Sequence, residues 1–582
     1  MTLRVDMTQA TFQGLDPQGS YTYGQWELLR CCLLRALMTY RGVPGTEGAQ
    51  VVPDLAASPP TVSADGLVWT FHLRHGIHYA PPLENVEVTA ADVVRALLRS
   101  GSSRDTGFNA GVAYLPLIER FQEYASGKAE SIAGVSTPDA YTLQVKETRP
   151  DASILHLFAL PFSAPIPPMP GRPDAILGVA TDHPLDVDYN SVPSKPGYGP
   201  FLVATGPYMF EGSTALDPSA PPQQQEPVPG FKPAWFVKGD YRGSIAMVRN
   251  PSWDPATDPN RPAIADRIEI NVAPAEQSMF DEFTGGSADV LLGDNPPANV
   301  VRRFRSSPST AGDVVEFSGS QSDYIAINLA QPPFDDPHVR RALAFVLDRR
   351  ALVASRYEYG TIASHLIPDP MEGSVLSSWN AFPSTNAEGD LLAARAEMDA
   401  SKYGKNGKCA AAACSDVLVL LNGQEVETLR TLRAGLSSIG IRAVFQAKDC
   451  LDPRAHAALC EFGWAVDYPD PGNFFVPDLS SRIAGAPTPT LLGSTAEELR
   501  SWHYEVRRVP SIDGDYERCA AELGVRATLC WARLDQLLVG RIVGIIPFGV
   551  AQTIRLQGAR VASYSVDQAF GEPSLDRIAL GA

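Results

Sequence analysis

The chain contains no apolar run near the ~20 residues that a bilayer-crossing helix needs. It also lacks an excess of positive charge: 48 Lys and Arg stand against 66 Asp and Glu, for a formal net charge of -18. No basic stripe is present to neutralise phosphates, which excludes nucleic acid as a partner. Its eight cysteines include no C-x2-C pair, so the usual zinc signature is missing. Neither G-x-S-x-G nor H-E-x-x-H occurs, and Gly14, Gly19 and Gly24 compose no phosphate loop. The opening TLRVDMTQATFQGLDP after Met1 has neither the basic head nor the apolar core of a secretory leader. With no reaction centre in evidence, binding outranks catalysis.

What is present describes a globular, loop-rich chain. Of its 582 residues 44% are hydrophobic, with 47 Gly and 50 Pro. At ~100–200 residues per domain, that length accommodates three or four compact units. Six cysteines fall into local pairs, Cys409 with Cys414, Cys450 with Cys460, and Cys519 with Cys530. Each pair flanks a stretch that a disulfide can close, worth about 2–3 kcal/mol in the loop-entropy model. Such bridges belong to oxidising compartments, so the expected location is extracytoplasmic, with a leader absent from this sequence. Cys31 and Cys32 lie in the apolar helical run LLRCCLLRAL. Adjacent cysteines rarely reach bridging geometry, and these two are expected as buried thiols.

Hydrophobic spacing predicts strands at Leu3–Met7, Leu67–Leu73 and Tyr141–Val145, and helices over Gln25–Leu37 and from Thr89 onward. Asp92, three residues after Thr89, makes a variant capping box, and Val94, Leu97 and Leu98 give that helix its apolar side. Proline-rich loops are expected at Pro161–Pro173 and Asp217–Gly230. The texture then turns to strands, GPYMFE, GSIAMVRN and ADRIEINV, for a mostly antiparallel or mixed sheet. In DYIAINL, Tyr324, Ala326 and Asn328 alternate with Ile325, Ile327 and Leu329. Asp336-Pro337 reads as a helix cap with a first-turn proline. From Val417 to Phe445 the order strand, helix, strand makes a βαβ unit, so the second half holds an α/β domain. A last helix around Cys530–Val539 leads into the strand-like IVGIIPFGV and AQTIRL.

Chemically, Glu461–Phe475 stands apart: EFGWAVDYPDPGNFF sets Asp467 among Trp464, Tyr468, Phe474 and Phe475. An enclosed carboxylate facing an ammonium makes a strong charge-assisted bond. The plainer alternative is a turn carboxylate capping local backbone, with the aromatics as core. Asp470 reads as a cap on the turn at Pro469 rather than as the second acid of a glycosidase pair. In HLRHGIH an extended backbone sends His72 and His78 to one face and His75 to the other, so converging metal ligands are not expected. Arg340-Arg341 reads as surface or interdomain ion pairing.

In chain order, several segments resemble one family. They are LDP at Leu15–Pro17, PDLAASPPTVSADGLVWTFHLRHGIHY at Pro53–Tyr79, VTAADVVRALLRS at Val88–Ser100 and TGPYMFEG at Thr205–Gly212. MVRNPSW at Met247–Trp253, DYIAINLAQPPFDDPHVRRALAFVLDR at Asp323–Arg349 and FGWAVDYPDP at Phe462–Pro471 continue the series. Together they resemble the family 5 extracellular solute-binding proteins, the dipeptide/oligopeptide-binding components of bacterial ABC importers.

The resemblance implies an α/β fold, type II periplasmic-binding-protein-like, with two lobes, a hinge and an inserted extra subdomain of the three-region peptide-binding type. On that pattern residues 1–49, 187–319 and 537–582 form a discontinuous lobe, 50–186 the insertion and 320–536 the second lobe. The hinge strands would cross near Ser320 and near Leu537–Ile546. The implied work is capture of a small solute, expected as a short peptide, by lobe closure, and its delivery to membrane permease subunits. The receptor would be a monomeric lipoprotein of the periplasm or cell surface. No cofactor, metal, catalytic residue or nucleic-acid partner is implied.

Asp467 is similar to the family aspartate that pairs with a peptide's α-amino group, and Trp464, Ala465, Val466 and Tyr468 would flank it. The ligand's backbone would lie against Tyr21, Thr22 and Tyr23 in the loop Gly19–Gly24, and against Gly319, Ser320, Gln321 and Tyr324. The family also includes nickel, opine and oligosaccharide binders, so an oligosaccharide, an opine or a metal chelate is the alternative solute. The chain departs from the family pattern in its excursion near Ala220, its cysteine pairs and GIHY at Gly76–Tyr79. These departures bear on the ligand rather than on the fold.

Overall fold

The computed structural model describes residues 1–8, 15–101, 111, 114–171, 176–177, 198–221, 224–233, 243–273, 276–421, 426–448, 450–475, 479 and 488–581. By contacts the chain forms two compact units, one of Met1–Glu316 with Ile554–Ala582 and one of Phe317–Thr553. The division falls close to the first boundary drawn from sequence. At the second, residues 537–553 belong to the later unit, and residues 50–186 are counted within the first.

The first unit opens on β1 (Thr2–Thr8), where Leu3, Val5 and Met7 alternate into the core. Thr22 caps α1 (Tyr23–Leu28), which passes into a single π turn, Leu29–Leu33, before the chain extends at Leu34. The helix expected to reach Leu37 stops there because its next polar groups are already taken. The Leu33 carbonyl accepts from the N–H groups of Thr205 and Gly206, each at 2.9 Å, and the Arg35 N–H donates to Thr205 Oγ1 at 2.9 Å. In a regular helix neighbouring side chains diverge by about 100°. In this widened turn Cys31 and Cys32 are instead bonded to each other, which corrects the expectation of two thiols.

A small antiparallel sheet follows, of β2 (Thr61–Val62), β3 (Val68–His72), β4 (Val135–Asp139) and β5 (Thr142–Lys146), in the order β2-β3-β5-β4. Between β3 and β4 runs α2 (Ala90–Gly101), whose Asp92 accepts from the Thr89 N–H at 2.9 Å. Its buried side is Val93, Ala96 and Leu97; Val94 and Leu98 are half-buried, one step round from the face read in sequence. That rotation follows from Arg99, which is fully buried where it grips Asp16.

The larger sheet of this unit adds β6 (Tyr208–Phe210), β7 (Phe231–Pro233), β8 (Gly243–Arg249), β9 (Arg267–Ala273) and β10 (Val290–Leu292), with α3 (Glu276–Thr284) between the last two. Its order is β10-β1-β9-β8-β6, with β7 alongside β8. β1 runs parallel to both its neighbours and β8 antiparallel to its own, so the sheet is mixed as expected.

The chain passes between units inside β11 (Val314–Ile327) and inside β16 (Ile545–Leu556). In the second unit, Asp336 caps α4 (Pro337–Val346) through the His338 N–H, with Pro337 in the first turn. β13 (Val417–Leu421), α5 (Val426–Ser438) and β14 (Ala443–Ala447) make the predicted βαβ unit with parallel strands. β12 (Gly360–Ile362) and β15 (Leu459–Ala465) complete a six-stranded sheet in the order β12-β16-β11-β15-β13-β14. Tyr324 to Ala330 are all buried, so the DYIAINL strand is covered on both faces. The last helix, α6 (Val525–Gln536), runs into a second π turn at Leu537–Ile542.

Arg340 is buried and donates to the carbonyls of Ile542 at 3.0 Å and Phe334 at 2.7 Å, not to a surface carboxylate. The three local cysteine pairs are all bridged as expected, with Cα separations of 6.0, 6.0 and 5.3 Å. No helix among the described residues is long and apolar enough to cross a membrane.

Candidate functional site

The corner at Asp467 is built from the turn that follows β15. Asp470 caps the short helix Pro471–Phe474, accepting from the Gly472 N–H at 2.7 Å. That turn presents Asn473, whose Oδ1 accepts from the Trp464 indole N–H at 2.9 Å and from the Asp467 backbone N–H at 3.1 Å. One amide oxygen thus fixes both the strand's last aromatic and the backbone of the carboxylate. Asp467 is buried, 8% exposed, with Val466 and Tyr468 buried and Trp464 and Ala465 half-buried. Phe474 and Phe475 are fully buried in the core, Phe475 stacked on Trp531 at 5.5 Å, so neither forms a ligand-facing wall. Asp470 is the turn cap that the sequence suggested.

β15 lies antiparallel to β11 with Gln321 opposite Ala465 and Ser322 opposite Trp464, and the Val466 N–H donates to the Ser320 carbonyl at 3.2 Å. Ser320 and Gln321 therefore sit directly beside Ala465 and Val466. Gly319 is small for a local reason, since a Cβ there would meet the Ala551 carbonyl at 2.5 Å. The Tyr324 ring is core, tilted against Phe462 at 6.1 Å, which leaves only its backbone for a ligand. Beside them Asp323 is held by the Gln321 amide at 2.9 Å and by Arg356 Nε at 2.7 Å. Its carboxylate crosses over Gly463, where a side chain would collide with it.

In the first unit, Asp16 organises the loop that carries Tyr21, Thr22 and Tyr23. Its carbonyl accepts from the N–H groups of Gly19 and Ser20, and its carboxylate receives both Arg99 Nη atoms at 2.5 Å and the Tyr198 N–H at 3.0 Å. Tyr21 is 36% exposed, and its ring and that of Tyr23 both pack edge-on against Trp26. The Trp26 indole in turn donates to the Ser20 carbonyl at 2.7 Å. The side chains named from sequence thus fall into two groups, one in each unit.

Asn473, Asp323 and the Asp16–Arg99 pair were not singled out from sequence. Asn473 carried a faint signal, as a polar residue inside an aromatic run just after a proline turn. The histidines of HLRHGIH do not converge: His72 meets Thr142, His75 packs on Tyr141 and His78 meets the Glu84 carbonyl. A polar recess of about 400 Å³ also opens on the larger sheet of the first unit, lined by Arg4, Asp6, Lys232, Arg267, Glu269 and Asn271 among others. Burial pushes the Asp6 carboxyl there up to about 6, against the opposing pull of the Asn271 amide.

A model described as bacterial extracellular solute-binding proteins, family 5 Middle, matches residues 50–486. Heme-binding protein A of Haemophilus influenzae is 23% identical over 450 residues, 75% of this chain and 71% of that protein. Glutathione-binding protein GsiB of Salmonella paratyphi A is 25% identical over 334 residues, 56% of this chain and 50% of that protein. Among solved structures, clavulanic acid biosynthesis oligopeptide binding protein 2 aligns with a TM-score of 0.76 at 23% identity, covering 100% of this chain and 96% of that one. The fold is the type II periplasmic-binding-protein fold with two lobes.

Proposed function

The chain belongs to the bacterial extracellular solute-binding proteins of family 5, and from that premise we propose that it captures short peptides by lobe closure and delivers them to the permease of an ABC importer. It is an extracytoplasmic solute receptor and not an enzyme. The observation that carries the peptide reading is the buried carboxylate at Asp467, at the position similar to the family aspartate, on a backbone pinned by Asn473. A carboxylate already withdrawn from water binds an ammonium strongly, because little further desolvation is needed to form the pair. Backbone groups of Ser320 and Gln321 beside it, and of the Tyr21–Tyr23 loop, would serve a peptide's main chain while leaving its side chains free to vary. Of the similar proteins named above, two carry a peptide-class solute in their names, glutathione and oligopeptide. Tethering as a lipoprotein and action as a monomer complete the proposal.

The test compares free-amino peptides with their N-acetylated forms by calorimetric titration. Free peptides should bind, acetylated ones should bind less, and Asp467→Asn should cost about 2–5 kcal/mol, the range for removing one partner of a buried charge pair. Equal affinity for both peptide forms would remove Asp467 from the recognition scheme. Haem, the solute in the name of another similar protein, is the counter-ligand. Saturable binding of haem without binding of peptides would replace the peptide reading.

A further inference from the structure

The segment after β12 reads SHLIPDPME, and its ionisable side chains converge inside the second unit. His365, Asp369 and Glu372 each offer one ligand atom, and these atoms all lie within 4.8 Å of one another. His365 Nε2 stands 3.5 Å from Asp369 Oδ1. That is close to the edge, about 3.4 Å, of a tetrahedron built on bonds of ~2.1 Å.

The group is short of hydrogen-bond partners. Glu372 is fully buried, and its Oε1 accepts from the Leu376 N–H at 2.7 Å while Oε2 has no hydrogen-bond partner. His365 Nδ1 and Asp369 Oδ1 are likewise buried without one, and His365 is only 9% exposed. Polar atoms left buried and unpaired are destabilising. A cation bound at His365 Nε2 would engage the Asp369 and Glu372 carboxylates together, while Nδ1 faces Asp535 instead.

A supporting carboxylate stands beside the imidazole. Asp535, fully buried on α6, accepts from the N–H groups of Leu366 at 2.9 Å and Ile367 at 3.0 Å. Its Oδ2 lies 3.7 Å from His365 Nδ1, on the side of the ring away from Asp369. A carboxylate in that place orients a metal-bound imidazole and fixes its tautomer. One nitrogen with carboxylate oxygens suits zinc or manganese, while calcium takes six to eight oxygens. The Asp369 side chain is 46% exposed, which gives an ion a way in.

The geometry points to a divalent transition-metal site, of zinc type, formed by His365, Asp369 and Glu372, with Asp535 as the positioning residue for the imidazole. The ion would cross-link the irregular segment after β12, with α6 engaged only through Asp535 beside the imidazole. The site is separate from Asp467 and does not depend on the peptide reading.

Chelator-stripped full-length protein is titrated with Zn2+ by calorimetry and with Co2+ by visible absorption. One equivalent of Zn2+ should bind, raise the unfolding midpoint and displace a Co2+ band typical of a low-coordinate site. Asp369→Asn alters a half-exposed side chain and should weaken Zn2+ at least 10–100-fold, the loss seen even for supporting groups. His365→Ala should abolish the Co2+ band. Absence of saturable Zn2+ binding would overturn the proposal, as would one-equivalent binding left unchanged by Asp369→Asn. Should His365→Ala fail to fold, the Asp369→Asn titration decides alone.

Discussion

Glu147 shows what burial does to a single carboxyl group. Its Oε2 accepts from the Trp69 indole N–H at 3.0 Å and from the Asp151 N–H at 3.1 Å, while Oε1 is buried without a hydrogen-bond partner. Burial pushes this carboxyl up to about 8, against the pull of the Trp69 hydrogen bond. In the unfolded chain a glutamate titrates near 4.3, so between roughly pH 4.3 and 8 the folded protein keeps a proton that the unfolded chain has released. Stability therefore falls as pH rises through that window. Glu147→Gln keeps the shape and removes the titration. Its stability in urea should gain on the wild type between about pH 5 and pH 8, by roughly 3–4 kcal/mol. An equal difference at both pH values would show that the carboxylate is ionised when folded. Arg30 is the opposite case, a buried cation with three buried acids: Glu27 at 2.8 Å, Asp567 at 2.6 Å and Asp576 at 3.4 Å. Burial alone would push its guanidinium down, but the three carboxylates together hold it above its usual value. Arg30→Met strands those acids, and a loss of about 3–5 kcal/mol in chemical denaturation is expected.

At the scale of elements, the β11–β15 pair depends on glycine at one crossing. An alanine Cβ at Gly463 would fall into the Asp323 carboxylate, which Arg356 holds in place at 2.7 Å. Gly463→Ala should therefore cost about 1–3 kcal/mol, the usual price of overpacking. It should also raise hydrogen exchange along Ser320–Tyr324, and a neutral result would mean that Asp323 swings aside freely. Much of this unit was legible in sequence because its signals are local. Asp336-Pro337 caps a helix through atoms two residues away, and the run from Val417 to Phe445 needs only its own periodicity. The helix over Gln25–Leu37 ends short because its last polar groups meet Thr205 and Gly206, far along the chain, and the Cys31–Cys32 bridge lies within the π turn made there. The Asp467 corner was half legible: Asp470 announced its turn, but the role of Asn473 requires knowing that Trp464 folds back onto it. The ligands around His365 are close in sequence, but their segment is irregular and has no period to show that they converge, and the supporting Asp535 arrives from a helix more than a hundred residues later.

Across the whole molecule the covalent cross-links are unevenly shared. Cys409–Cys414, Cys450–Cys460 and Cys519–Cys530 all lie within Phe317–Thr553, while the other unit holds only Cys31–Cys32, between adjacent residues. In the loop-entropy model, closing loops of the three larger sizes restrains the unfolded chain by about 2–3 kcal/mol each, whereas a bridge between neighbours closes almost nothing. The second unit also has its own extensive core, running from Tyr324 to Phe548. Its stability should therefore depend on the oxidation state of the protein, and that of the first unit should not. Hydrogen exchange with and without reductant measures this directly, because each peptide reports its own unit. Reduction should raise exchange across the strands Val417–Leu421 and Leu459–Ala465, the latter leading straight to Asp467, and leave Thr2–Thr8 and Arg267–Ala273 protected. Loss of protection in both units together would mean that they unfold as one, and the bridges would then support the receptor as a whole rather than the half that carries its carboxylate.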